Sequence, residues 1–173
     1  ELQFAALAGQ VTHVIHCAAD VSTVADYQTL RGANLLGTAS IIRFSAQGRP
    51  KRLMLTSTLS VFVNSDQHQG RLLESDDLSL TKDVYGGYAQ TKWAAERLFR
   101  KCRGLLPELQ TIRLGLLVPD QHSGPSSRTD LLTLTVQALA KLECVPLCAN
   151  SLRMDTTPVS FASAAMVELL MQP

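Results

Sequence analysis

Tyr88 and Lys92 stand four residues apart in Gly86-Gly87-Tyr88-Ala89-Gln90-Thr91-Lys92-Trp93-Ala94-Ala95-Glu96, and Leu55-Thr56-Ser57-Thr58 ends thirty positions before the tyrosine. On a helix, positions i and i+4 share a face, so a phenol and an ammonium project side by side. A free phenol titrates near pH 10, and a neighbouring cation lowers that value by favouring the phenolate. A hydroxyl at the end of a preceding strand can hydrogen-bond the same substrate oxygen. Together the three groups form an acid/base device for reducing or oxidising a carbonyl. The spacing alone does not carry this reading, because a half-buried tyrosine beside a solvated lysine often arises by chance. Order carries it: a β-branched strand ending in Thr56-Ser57-Thr58, a polar loop, the tyrosine helix, and an apolar strand from Thr111 to Val118.

The elements that position these groups follow from periodicity. The first residues resemble a helix leading into an interior strand, Val11 to Ala19, whose β-branched apolar run suits burial on both faces. A helix is expected from about Asp26 to Ala46, with Leu30, Ala33, Leu36, Ile41 and Phe44 at near-helical spacing, broken at Arg49-Pro50. Arg52 to Thr58 reads as a second strand and Asn64 to Thr81 as a polar loop. A helix from about Val84 to Cys102, closed by Gly104, precedes a third strand, Leu109 to Val118, ended by Pro119-Asp120. Further helices are expected over about Thr129 to Leu142 and Phe161 to Met171. This alternation predicts an α/β fold, a doubly wound parallel sheet of Rossmann type. In such sheets the ligand crevice lies beyond the carboxyl ends of the strands. Ala18-Ala19, Thr58 and the segment after Arg113 fall at those ends.

Composition narrows the class. The 173 residues fit one domain, and 46% apolar against 18% charged residues is a globular balance able to bury a core. A net charge of +1 without a basic block gives no footprint for nucleic acid or an anionic membrane. No apolar run approaches the roughly 20 residues that span a bilayer, and Glu1-Leu2-Gln3-Phe4 lacks a secretory signal's basic start. A reducing, cytoplasmic setting suits Cys17, Cys102, Cys144 and Cys148 as free thiols. Cys144 and Cys148 form half a metal site at most, because no second Cys/His pair follows at suitable spacing, so no metal is expected. The ten glycines contain no G-x-G-x-x-G, the turn whose amides approach a pyrophosphate. The chain is therefore read as part of a longer protein, with its first βαβ units upstream. A degenerate domain that never bound a cofactor is the rival reading.

Ordered blocks along nearly the whole chain resemble the extended short-chain dehydrogenase/reductases, most closely their thioester reductase branch. These are the terminal reductase domains of nonribosomal peptide and polyketide synthetases and of carboxylic acid reductases. Val14 to Val21 is similar to the family's strand under the cofactor's adenosine half, and Tyr27 to Thr38 to its next helix. Leu55 to Val61 is similar to the catalytic hydroxyl strand, and Gly86 to Trp93 is the most branch-specific block. Arg113-Leu114-Gly115 resembles the strand beside the nicotinamide; Asp120 to Gly124, Asp130 and Pro158-Val159 resemble substrate-side segments. Ser160 stands where the family usually has aspartate, and Leu114 follows Arg113 where proline is common.

The resemblance implies a partial NAD(P)-binding reductase domain over residues 1–173, with a substrate-binding subdomain beginning near residue 119. It implies Thr58, Tyr88, Lys92 and Asn34 as catalytic residues. It implies cofactor contacts from Ala18, Ala19, Asn34, Thr56, Tyr88, Lys92, Leu114, Gly115 and Leu117. NADPH is expected over NADH. The implied reaction is reductive release of an acyl or peptidyl thioester, borne on carrier-protein phosphopantetheine or CoA, as aldehyde or alcohol. The partner is then an acyl or peptidyl carrier protein within a larger multidomain chain. Lys92 is expected to lower the Tyr88 pKa and to hold the nicotinamide ribose, and Asn34 to fix Lys92 through a water or a main-chain contact. Thr58 and Ser57 compete for the hydroxyl role, and strand alternation separates them; alignment with the family favours Thr58. Asn34 has a local backbone bond as its alternative, and Arg113 a structural hydrogen bond. His16 reads as a satisfied core histidine, His122 as a solvated loop residue and Trp93 as packing. A nucleotide-sugar epimerase or dehydratase, a fatty acyl-CoA reductase, and a non-catalytic NAD(P)-sensing or scaffold domain are the alternative functions.

Overall fold

The computed structural model describes residues 2–63, 72–81, 83–120, 124, 130–147, 151 and 154–172. It divides into two compact units, residues 1–113 and 114–173. In the first, helix α1 (Leu2–Gln10) leads into strand β1 (His13–His16). Asp26 accepts from the Thr29 amide at 2.8 Å and so starts α2 (Tyr27–Arg31). The helix then widens into a π-helical turn, Gly32–Leu36, where the Gly37 amide reaches back five residues to the Gly32 carbonyl, before α3 (Gly37–Ala46) resumes. Strand β2 (Arg52–Thr58) runs parallel to β1, with His16 opposite Leu55, and lies between β1 and β3 (Leu109–Leu114). Short 3₁₀ turns, Leu59–Phe62 and Leu78–Leu80, precede helix α4 (Gly87–Lys101).

The core of this unit sits on β2. Leu53 and Leu55 project to one face and pack with Ile42 of α3, Phe99 of α4 and Leu106, while Met54 is buried on the other face. Full burial of each such side chain stabilises the fold by about 1.5–3 kcal/mol. Lys51 is buried immediately before β2, and its ammonium donates to Ala8 O at 2.9 Å and to Gln47 O and Arg49 O at 2.8 Å. One side chain thereby ties the ends of α1 and α3 to the start of the central strand.

The second unit holds strand β4 (Leu116–Val118), helix α5 (Leu131–Leu142), strand β5 (Thr156–Pro158) and helix α6 (Val159–Met171). β4 and β5 pair in parallel, Leu116 opposite Thr156 and Val118 opposite Pro158. Asp130 caps α5 by accepting from the Thr133 amide at 2.8 Å. α6 buries Ala162, Met166 and Leu170, one residue per turn, whereas α5 has no buried side chain.

The parallel α/β class agrees with the sequence reading; several details do not. The helix expected over Asp26 to Ala46 buries Leu30, Asn34, Thr38, Ile42 and Ser45, while Ala33 is exposed and Leu36 is 48% exposed. Hydrogen bonds satisfy the buried polar members Asn34 and Thr38, so apolar spacing alone misplaces the face. β1 is shorter than expected and lies at the sheet edge among the described residues, with Ile15 36% exposed. The strand expected from Leu109 to Val118 breaks at Gly115 into β3 and β4, which belong to different sheets. Residues 64–71 of the expected loop and the Thr129 start of the helix lie outside the described residues. Among the described residues no helix is long and apolar enough to cross a membrane.

Candidate active site

α4 delivers Tyr88 and Lys92 to the carboxyl end of β2. Its start depends on two glycines: Gly86 has φ 84°, and a Cβ at Gly87 would stand 2.4 Å from Asp26 C and 2.5 Å from Ala25 O. The first turn of α4 thus touches the backbone that opens α2. Lys92, 4% exposed, donates to the main-chain oxygen of Thr56 and so ties the helix to the strand. Burial pushes its amine below the usual lysine range, while Glu96, one turn further on, and Cys17 push it back up. Tyr88 is half-buried, and burial pushes its phenol above the ordinary value of 10.0. The expectation that Lys92 lowers this phenol therefore gives way to desolvation. Such a tyrosine keeps its proton at neutral pH, the state a general acid needs.

Thr58 closes β2 half-buried. Its hydroxyl accepts from the Ser60 amide and donates to Ser60 Oγ, both at 3.2 Å. Ser57 points to the opposite face, 3% exposed, and its hydroxyl has no hydrogen-bond partner among the described residues. Thr56 shares the face of Thr58, and its hydroxyl lies 3.3 Å from Cys17 Sγ. Cys17 and Ala18 are exposed and Ala19 partly so, just past the carboxyl end of β1.

Asn34, 2% exposed, sits in the π-helical turn and bonds in two directions. Its Oδ1 accepts from the Asp20 amide at 2.7 Å, and its Nδ2 donates to Asp20 O at 2.9 Å and to Thr91 Oγ1 at 3.0 Å. The Thr91 hydroxyl in turn donates to Tyr88 O at 2.8 Å. Asn34 therefore grips α4 through Thr91, the residue before Lys92, and both its amide hydrogens are used inside the protein. His16 Nε2 lies 3.1 Å from Thr38 Oγ1. That hydroxyl gives its own proton to Asn34 O at 2.7 Å, so it accepts from the imidazole, which carries its hydrogen on Nε2. Burial, and secondarily the Lys92 charge, push the His16 pKa down. Sequence reasoning missed Thr38 and Thr91; their signal was polar residues at helical spacing from Asn34 and within the Tyr88–Lys92 turn.

Arg113 makes a two-point contact with Glu96, Nη2 to Oε2 at 2.9 Å and Nε to Oε1 at 3.1 Å, over the Phe62 ring at 4.7 Å. Its structural hydrogen-bond alternative is the one this geometry displays. Trp93 packs on Val61, Phe62 and Leu78, its indole N–H donating to Leu78 O at 3.0 Å. Leu114, Gly115 and Leu117 belong to the second unit. There a Cβ on Gly115 would stand 2.9 Å from Asp155 O, and Leu117 pairs with Thr157. His122 and Cys148 lie outside the described residues. Among the described residues no three His, Cys, Asp or Glu side chains are placed to hold a metal.

The donor set at the strand ends fits a dinucleotide's ribose. Among the described residues the Lys92 ammonium makes a single hydrogen bond, to Thr56 O, and it has three donors. The small residues Ala18 and Ala19 leave the end of β1 uncovered. Residues 1–166 match the model of the NAD-binding family described as male sterility protein, and the chain belongs to that family. It is 30% identical over 170 residues to a linear gramicidin synthase of Brevibacillus parabrevis, covering 98% of this chain and 3% of that protein. It is 34% identical over 174 residues to a glycine betaine reductase of Emericella nidulans, covering 98% and 13%. Among solved structures it is similar to the terminal R domain from the myxalamid PKS-NRPS biosynthetic pathway, with TM-score 0.90 and 31% identity, covering 100% of this chain and 43% of that one. The expected kinship with terminal reductase domains is thus borne out, and the chain spans less than half the length of each of these relatives.

Proposed function

We propose that this chain carries the acid/base half of an NADPH-dependent reductase that releases an acyl or peptidyl thioester, held on carrier-protein phosphopantetheine or on CoA, as an aldehyde or alcohol. The observation that carries the reading is the buried Lys92 bonded to Thr56 O one turn after Tyr88, at the end of the strand that Thr58 closes. Membership of an NAD-binding family and 31% identity to a terminal R domain support it.

When bound, the nicotinamide cofactor would supply one hydride to the carbonyl carbon for the aldehyde, and a second cofactor molecule a further hydride for the alcohol. Lys92, with Ala18 and Ala19 at the end of β1, would hold the dinucleotide. Thr58 turns its O–H from Ser60 Oγ to the substrate oxygen, and Tyr88 donates its proton to the charge that builds there. Asn34 keeps the Tyr88 turn in place through Thr91. A thiolate, with a free pKa near 8.5, leaves far more readily than an alkoxide, which suits a thioester over an ester.

The test is NADPH oxidation by the full-length protein with an acyl thioester, run beside Tyr88→Phe. Turnover should fall by about 10²–10⁴ in the variant while NADPH still binds, and NADPH should outperform NADH. Undiminished turnover in Tyr88→Phe would remove the tyrosine from the reaction, and a wild type inert toward thioesters would sink the reading.

A further inference from the structure

Lys92 is almost fully buried, and an ammonium taken out of water costs several kcal/mol unless something opposes the loss. The groups around it are few. From α4 comes Glu96, with Tyr88 one turn before Lys92, from β1 the neutral His16, from just past its end Cys17, and from β2 the Thr56 carbonyl. Glu96 is the one carboxylate among these groups, one helical turn from Lys92 and 1% exposed. A charge so deeply buried needs a partner. Arg113 supplies one with its two-point contact at 2.9 and 3.1 Å, itself held by the Phe62 ring and by Glu74 O at 3.3 Å. The charges alternate, guanidinium to carboxylate to ammonium.

We infer that Glu96, paired with Arg113, is a positioning residue whose charge keeps Lys92 an ammonium at the candidate active site. This deepens the reading of Lys92 above and rests on it. The surroundings point the same way, since burial disfavours the charged lysine and Glu96 is the larger of the two groups that favour it. Tyr88, Lys92 and Glu96 then form one functional stripe on α4, of which Glu96 touches neither substrate nor cofactor.

Two readouts test it in the full-length protein. The pH dependence of Lys92 acetylation by trace acetic anhydride, read by peptide mass spectrometry, reports the amine whether or not any thioester is turned over. The alkaline limb of NADPH-dependent thioester turnover reports its consequence. In Glu96→Gln both should move down by about one pH unit. Arg113→Lys, which keeps a cation beside the carboxylate, should leave the acetylation profile close to wild type. Because Glu96→Gln strands a buried guanidinium, a Glu96→Gln/Arg113→Leu double variant, with no buried charge left unpaired, serves as the second probe. Its profile should also fall, because Glu96 stands one turn from Lys92 on α4, but by less, because the lost guanidinium offsets part of the lost carboxylate. A purely structural ion pair would lower the melting temperature of the single variant and leave every Lys92 profile in place, and that outcome overturns the inference. A moved acetylation profile in a protein inert toward thioesters would keep the role of Glu96 and reject the proposed reaction.

Discussion

At the scale of single residues, proton placement decides what the site can do. Burial tightens the hold of Tyr88 on its proton and disfavours one on His16, where the nearby Lys92 charge acts the same way. The two shifts have opposite signs because burial disfavours a phenolate and an imidazolium alike. His16 links this electrostatics to stability. Its folded pKa lies below the ordinary 6.5, so the unfolded chain takes up a proton first as pH falls, and stability drops from about 6.5 downward to the folded pKa. His16→Gln keeps a donor for Thr38 without a titrating ring and should flatten that stretch of the melting-temperature curve; superimposable curves would refute it. The tyrosine, the lysine and the strand hydroxyls were legible in the sequence because reactive side chains at fixed spacing leave a pattern. Thr91, Thr38 and Glu96 left only polar residues at helical spacing, since their work is to bond other polar groups in a buried layer, and that pairing is visible only once the helices meet.

At the scale of elements, the site depends on how α4 and the π-helical turn are started and seated. The π turn adds a residue to one helical turn, which costs good hydrogen-bond geometry and recurs at functional sites; here it carries Asn34 into contact with both Asp20 and Thr91. Apolar periodicity read Asp26 to Ala46 as one helix, because a single inserted residue hardly disturbs a pattern already diluted by buried asparagine, threonine and serine. β2 was legible to the residue, as an apolar run ending in Thr-Ser-Thr, and the helix expected from about Val84 to Cys102 starts three residues later, at Gly87, and ends at Lys101. The Gly86-Gly87 pair shows what a sequence block can encode physically. Gly87→Ala must push apart α4 and the start of α2, a clash of the overpacking kind that costs about 1–3 kcal/mol. Because Tyr88 is the next residue, turnover should fall more than tenfold together with the melting temperature. Gly9→Ala in α1, where a Cβ meets nothing within 4 Å, should leave both unchanged. Equal behaviour of the two alanine variants would show that the close approach at Gly87 does not seat the tyrosine.

At the scale of the whole molecule, the two units differ in how much they bury. The first has a layered core on β2, where Leu53, Leu55 and Phe99 are each no more than 2% exposed, and the fully buried Lys51 ties the ends of two helices to that strand. Its class was readable in the sequence because strand and helix periods alternate cleanly up to β3. The second unit was less readable: β5 is three residues of Thr-Thr-Pro, too short to show a period, and its pairing with β4 is non-local. Among its described residues Ala162, Met166 and Leu170 of α6 are the buried apolar side chains, whereas Leu131, Leu134, Val136 and Leu142 of α5 stay exposed. Sixty residues with so small an interior fall in the size range where burial barely offsets chain entropy. A polypeptide of residues 114–173 alone should therefore show no cooperative thermal transition by circular dichroism, while the full-length protein does. Phe99→Ala in the first unit should cost about 3–5 kcal/mol, a loss large enough to lower the full-length protein's melting temperature. A sharp transition in the isolated second unit would mean that the small α6 interior, with the paired strands β4 and β5, suffices to fold it.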